Sequence, residues 1–184
     1  MATKVADNPG DDNSKIAFIF SCPGRLEEKN NIVCYGATGT NLEKLLNILT
    51  SIDPETFFSS NRYDYTIVNS CDTVYPNNDN KDKTEPDYSE IDDDNNLDRL
   101  YKALKNKECA VCFGDRAKHA IESLKKNYPD FNIESVGSNH LSPSNLNRKY
   151  HSDQNTPQDR NIDRIIEASE SIMDFYRNRN KDNK

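Results

Sequence analysis

No stretch of this 184-residue chain is apolar for anything near the roughly 20 residues that a membrane-spanning helix requires, and the opening segment MATKVADNPGDDNSK lacks the apolar run of a secretory signal. A cytoplasmic location is expected. Apolar residues are scarce, at 34% against 30% charged, so part of the length belongs to solvated tails or loops and the core must be compact. The length suits one domain with a single core. Basic residues are outnumbered, 24 Lys and Arg against 31 Asp and Glu, and the net charge of −7 is unusual for a partner of nucleic acid, whose phosphates are normally met by cations. The excess is local. Asp79, Asp82, Glu85, Asp87, Glu90, Asp92, Asp93 and Asp94 stand against Lys81 and Lys83 within residues 77–94, and the rest of the chain is close to neutral. That segment reads as a solvated acidic loop, with a partner-binding insertion or a mimic of nucleic acid as the alternatives. A basic stretch, Arg148-Lys149-Tyr150-His151 followed by Arg160 and Arg164, leaves room for a cationic face.

Cysteine is present but in the wrong pattern for a disulfide framework. The five thiols (Cys22, Cys34, Cys71, Cys109 and Cys112) are odd in number and mostly lie in apolar, strand-like segments, where a reduced thiol behaves as a small hydrophobe. Cys109 and Cys112 have the C-x-x-C spacing that chelates metal when a turn carries it. Here the segment reads as a strand ending at Gly114, and a strand sends residues three apart to opposite faces, so neither a metal nor a cofactor is expected.

Residues 1–14 are polar and rich in Gly, Asp and Asn, which predicts a disordered arm before a domain over residues 15–178 and a short tail over 179–184. Strands are predicted at residues 16–20, 65–68, 109–113 and 131–136. Between them lie helical patterns: Leu42, Leu45, Leu46 and Leu49; Leu97, Leu100 and Leu104; Ala117, Ala120, Ile121 and Leu124. A single last helix is predicted to carry Ile162, Ile165, Ile166, Ile172 and Phe175 on one face. Alternation of this kind predicts an α/β fold, a three-layer α/β/α sandwich around a central, mostly parallel four-stranded sheet.

Ligands of such sheets bind beyond the carboxyl ends of the strands. Three segments just past predicted strand ends stand out there: Ser21-Cys-Pro-Gly24, Asn69-Ser-Cys-Asp-Thr73 and Asn139-His-Leu-Ser-Pro-Ser144. They should converge on one crevice. A buried asparagine amide offers a donor and an acceptor side by side, the complement of a pyrimidine edge. A histidine on the opposite wall can donate to a developing anion, and a Ser-Pro turn can present hydroxyl and N–H groups to a phosphate.

Taken in order, these segments resemble the uracil-DNA glycosylase superfamily over roughly residues 16–148. Phe20-Ser-Cys-Pro-Gly-Arg-Leu-Glu-Glu28 followed by Cys34-Tyr-Gly-Ala-Thr-Gly39 is similar to the family's first motif, in which a Pro-Gly turn lies under the base. Ile67-Val-Asn-Ser-Cys-Asp-Thr-Val74 is similar to the strand whose asparagine reads the base, which implies Asn69 as the reader. Cys112-Phe-Gly-Asp-Arg-Ala117 resembles the family's L-G-x-x-A step. His140-Leu-Ser-Pro143 is similar to the H-P-S-P motif, whose histidine stabilises the departing base and whose Ser-Pro turn grips the strand. The resemblance implies an enzyme that flips a base out of DNA and hydrolyses its N-glycosidic bond.

The chain departs from the family's pattern at two places. Cys22 stands where many members have the Asp or Asn that positions water, so Glu27, Glu28 or Asp72 is the candidate carboxylate. Cys34 stands where a stacking phenylalanine is usual, with Tyr35 beside it as the substitute. The expected site therefore comprises His140, Glu27, Glu28 and Asp72 for chemistry, Cys22, Pro23, Gly24, Tyr35 and Asn69 around the base, and Ser142, Pro143, Ser144 and Arg148 on DNA phosphates. The changed positions suggest a damaged or modified pyrimidine in place of plain uracil. Two further readings stay open: a non-cleaving binder of a base, nucleotide or nucleic acid, and an interaction module that engages a protein partner through the acidic loop.

Overall fold

The structure, a computed structural model, describes residues 3–75 and 83–182, the side chains of 180–182 excepted. Ile16–Phe20 (β1) is apolar and buried throughout, and a strand alternates its side chains, so both of its faces must be covered. Ile16, Phe18 and Phe20 enter one core; Ala17 and Ile19 enter a second. Cys109–Phe113 (β3) divides in the same way and places Cys109 and Cys112 in different cores, so their spacing builds no shared ligand site. Thr66–Asn69 (β2) and Glu134–Ser138 (β4) complete a parallel four-stranded sheet in the order β2-β1-β3-β4.

Helices lie on both faces. Ala37–Ile52 (α2), Pro157–Ala168 (α7) and Glu170–Asp182 (α8) cover the first core, with Leu42, Leu45, Leu46 and Leu49 of α2 fully buried. Tyr88–Ile91 (α3), Asp94–Leu104 (α4) and Asp115–Asn127 (α5) cover the second. Two short helices, Arg25–Asn30 (α1) and Pro143–Lys149 (α6), follow β1 and β4. The fold is the expected three-layer α/β/α sandwich. Among the described residues no helix is long and apolar enough to cross a membrane.

Several local expectations need correction. Residues 3–14 are not a disordered arm but run antiparallel along the edge of β2, with bridges Lys4 to Thr73 and Asn8 to Ile67. The polar composition serves that edge: the Asn8 amide donates to the carbonyls of Tyr63 (3.0 Å) and Tyr65 (2.8 Å), and the Thr66 hydroxyl donates to Pro9 O (2.6 Å). Gly10, at φ +68°, lies so close to the Tyr65 backbone that a Cβ would stand 2.3 Å from its carbonyl carbon. Val5 is buried, and Asp7 pairs with Arg99. An otherwise open sheet edge is thereby closed.

The acidic segment is likewise no loop where it is described. Lys83 bridges Asp87 and Glu90, α3 follows, and Asp93 caps α4 by accepting from the Asn95 and Asn96 N–H groups. Its residues 77–82 lie outside the described residues. β4 begins at Glu134, because Phe131 and Ile133 fill the second core before the chain joins the sheet. The predicted last helix is two helices, broken at Ser169, which leaves Ile162 and Ile166 on the surface while Ile165 and Ile172 are buried. Residues 179–182 extend α8 and form no tail, and Arg179 pairs with Glu134 at 3.3 Å.

Deleting residues 1–10 tests the edge strap. Burial of Val5 alone contributes about 1.5–3 kcal/mol, and each kcal/mol moves Tm by about 2–4 °C at this chain length. The truncated chain is expected to melt about 5 °C or more below the full chain, whereas equal melting would mean that the segment is no part of the fold.

Candidate functional site

β1 ends at Phe20 and β4 at Ser138, and the segments that follow them meet across the end of β3. Between them opens a cleft of about 740 Å³, lined by Ser21, Cys22, Pro23, Gly24 and Arg25 from one side and His140, Ser142, Ser144, Asn145 and Arg148 from the other, with Tyr75, Thr84 and Glu85 at its margin. Of the residues singled out in the sequence, Cys22, Pro23, Gly24, His140, Ser142, Ser144 and Arg148 are brought together here.

The His140 loop is pinned by local hydrogen bonds. Asn145 donates its amide to His140 O (2.7 Å), Asn41 donates to Leu141 O (2.8 Å), and Ser142 caps α6. The Ser142 N–H donates to Nδ1 of His140 at 3.1 Å, and the Phe20 ring meets the imidazole edge to face at 5.7 Å. Burial pushes the His140 pKa down from 6.5 to about 4, so the ring is neutral at pH 7. With Nδ1 accepting, the single proton resides on Nε2. The site thus holds an uncharged N–H donor on the cleft wall.

Cys22 cannot supply a base. Burial raises its thiol to about 12, opposed weakly by the neighbouring Ser21 hydroxyl, and its sulfur lies 3.5 Å from Thr84 O. Glu27 stands just behind the cleft wall. Its Oε2 accepts from the Gly24 N–H (2.6 Å) and its Oε1 from the Cys34 N–H (2.5 Å). Burial raises its pKa, while those two N–H groups and the Asn69 amide favour the ionised form. Asn69 itself is buried at the end of β2, with its carbonyl held by Arg99 (2.7 Å). Neither polar atom of its amide closes a hydrogen bond of ordinary geometry among the described residues, although the amide stands near the Glu27 carboxylate.

Other predicted residues lie elsewhere. Glu28 is exposed on α1, Tyr35 is 39% exposed and does not line the cleft, and Pro143 is the exposed first residue of α6. Asp72 faces a separate depression of about 320 Å³, where it pairs with Lys4 (3.0 Å) and lies 4.0 Å from Arg99. An aspartate held by two cations is not available to orient water. Most of the basic stretch is also spent internally: Lys149 donates to Asn139 (2.7 Å), Arg160 to Gln154 O (2.9 Å) and Arg164 to Tyr150 O (3.1 Å). Only Arg148 of that stretch lines the cleft.

Tyr75 and Glu85 were not foreseen. Tyr75, rather than Tyr35, is the aromatic at the cleft, its hydroxyl 3.5 Å from the Cys71 sulfur. The signal for it was its place directly after the strand-end motif that carries Asn69. Glu85 lies 3.8 Å from Arg116, whose guanidinium stacks at 4.0 Å over the Tyr88 ring. Among the described residues no group of three or more His, Cys, Asp or Glu is placed to hold a metal ion. No protein-family model matches the chain, and the search of curated proteins finds no match.

A histidine whose folded pKa lies below its unfolded value binds its proton less readily in the native state. His140 therefore leaves stability unaffected above about pH 6.5 and destabilises progressively as pH falls toward 4, by up to about 3 kcal/mol. Urea midpoints of wild type and His140→Gln between pH 7 and 4 are expected to converge on that scale as pH drops. An NMR titration that placed the His140 pKa at 6.5 would refute the neutral-donor description.

Proposed function

We propose that the protein is a DNA glycosylase of the uracil-DNA glycosylase type, which takes an extruded pyrimidine-like base into the cleft and hydrolyses its N-glycosidic bond. The reading is carried by His140, held neutral with its proton on Nε2, opposite the Pro23-Gly24 turn. As the bond between sugar and base breaks, the electron pair departs with the base and negative charge gathers on its carbonyl oxygen. A neutral N–H donor in a desolvated site stabilises that charge without having to lose a proton of its own. Asn69 presents its amide to the base edge, and Ser142, Ser144 and Arg148 hold the flanking phosphates. Glu27, the one candidate carboxylate directly behind the cleft wall, screens the cationic sugar, and water then adds to it and releases a proton to solvent.

The test is alkali-labile strand breakage in labelled DNA carrying uracil, hypoxanthine, 5-hydroxymethylcytosine or glucosylated cytosine. Wild type is expected to cleave at one or more of these bases, His140→Gln about 100-fold more slowly, and Asn69→Ala with a comparable loss.

One observation favours a second reading, a base-binding module that does not cleave. Both Glu27 oxygens are occupied by backbone N–H groups, and the carboxylate that does line the cleft, Glu85, has Arg116 beside it. Retained binding of base-bearing strands with no breakage on any substrate would establish that reading in place of the enzyme.

A further inference from the structure

Buried polar side chains without partners are uncommon in folded proteins, and each one asks for an explanation. Among the described residues they fall into three groups. Arg62 and Asp7 each leave one atom unmatched in a group that is otherwise paired, and the unmatched Nε of Arg116 lies 3.8 Å from Glu85 with its guanidinium over the Tyr88 ring. Ser169 and Tyr176 lie in the core at α7 and α8 and line no part of the cleft. The remaining two, Ser21 and Asn69, sit at the ends of neighbouring strands, Ser21 lining the cleft and Asn69 fully buried next to it in the sheet and not among the lining residues.

We propose that Ser21 is a second base-reading residue, whose hydroxyl, with the Asn69 amide, forms a two-point polar floor for a base carrying a carbonyl next to a ring N–H. This inference rests on the cleft being a base site, as proposed above. Ser21 lines the cleft and is 6% exposed, yet among the described residues its hydroxyl closes no hydrogen bond of ordinary geometry. It interacts with the neighbouring Cys22 thiol, a weak hydrogen-bond partner. Ser21 O accepts from the Ser70 hydroxyl (2.6 Å) and from the Cys71 N–H (3.2 Å). The residue is therefore held in place while its hydroxyl has only the weak Cys22 thiol as a partner.

Register places the two residues close together. Phe20 pairs with Asn69 across the parallel ladder, and the Ser70 N–H donates to Phe20 O at 2.8 Å, so Ser21 and Asn69 occupy adjacent strand ends. A hydroxyl both donates and accepts, and an amide does the same. A base with neighbouring carbonyl and N–H groups can satisfy both at once, which hydrocarbon or a bare phosphate cannot.

The test uses Ser21→Ala in the full chain. Two probes are needed: single strands bearing one 2′-fluoro-deoxyuridine, which resists cleavage, and the same strand with an abasic tetrahydrofuran in its place. Removing an unmatched buried hydroxyl is expected to raise Tm by about 3 °C. The same change should weaken binding of the base-bearing strand about tenfold and leave the abasic strand unaffected. Unchanged affinity for the base-bearing strand would overturn the inference, as would a lower Tm with equal weakening on both strands, which marks a structural serine. Wild type that binds both strands alike would overturn the base-site reading itself, and this inference with it.

Discussion

The Glu27 carboxylate ties together two stretches of backbone that would otherwise move separately. One oxygen accepts from Gly24, at the turn that ends the β1 connection, and the other from Cys34, ahead of α2. The turn, the short helix α1 and the entry to α2 thus become one wall. Cys34 takes a left-handed conformation at φ 54°, and α2 packs so closely behind it that a Cβ on Gly39 would stand 2.0 Å from Cys34 O. Charge-assisted hydrogen bonds of this kind are about twice as strong as neutral ones and offset part of the cost of burying the carboxylate, whose pKa is still raised.

Burial also sets the chemistry of the opposite wall. The desolvation that favours a neutral His140 favours a neutral Cys22 thiol, so the cleft offers hydrogen-bond donors where an exposed site would offer charges. The cationic Arg25 and Arg148 line the cleft together with Glu85, and part of the charge of the acidic segment is paired with Lys83. An overall charge of −7 is therefore compatible with a local site for a phosphodiester.

Much of the fold was legible in the amino-acid order because its strongest signals are local. β1 and β3 are continuous apolar runs, and the leucines of α2 recur at helical spacing. The Pro23-Gly24 turn was legible for the same reason, lying just beyond β1, whereas His140 follows β4, a more polar strand. What was hidden depends on partners far along the chain. Residues 3–14 look solvated until β2 presents an edge for Asn8 and Thr66 to satisfy, and Asp72 looks free until Lys4 and Arg99 reach it. The break at Ser169 was invisible because the isoleucines on both sides keep helical spacing. Composition likewise read residues 83–94 as solvated loop, although Lys83, Asp87 and Asp93 are engaged in capping and pairing.

The proposed reaction requires Asn69 and His140 to meet one bound base. The most direct measurement is an NMR titration of isotope-labelled protein with a strand carrying 2′-fluoro-deoxyuridine, following the Asn69 side-chain amide and the His140 Nε2–H. The account predicts that both signals shift and saturate together. Shifts confined to Ser144 and Arg148 would contradict it, because the cleft would then be holding phosphate and no base.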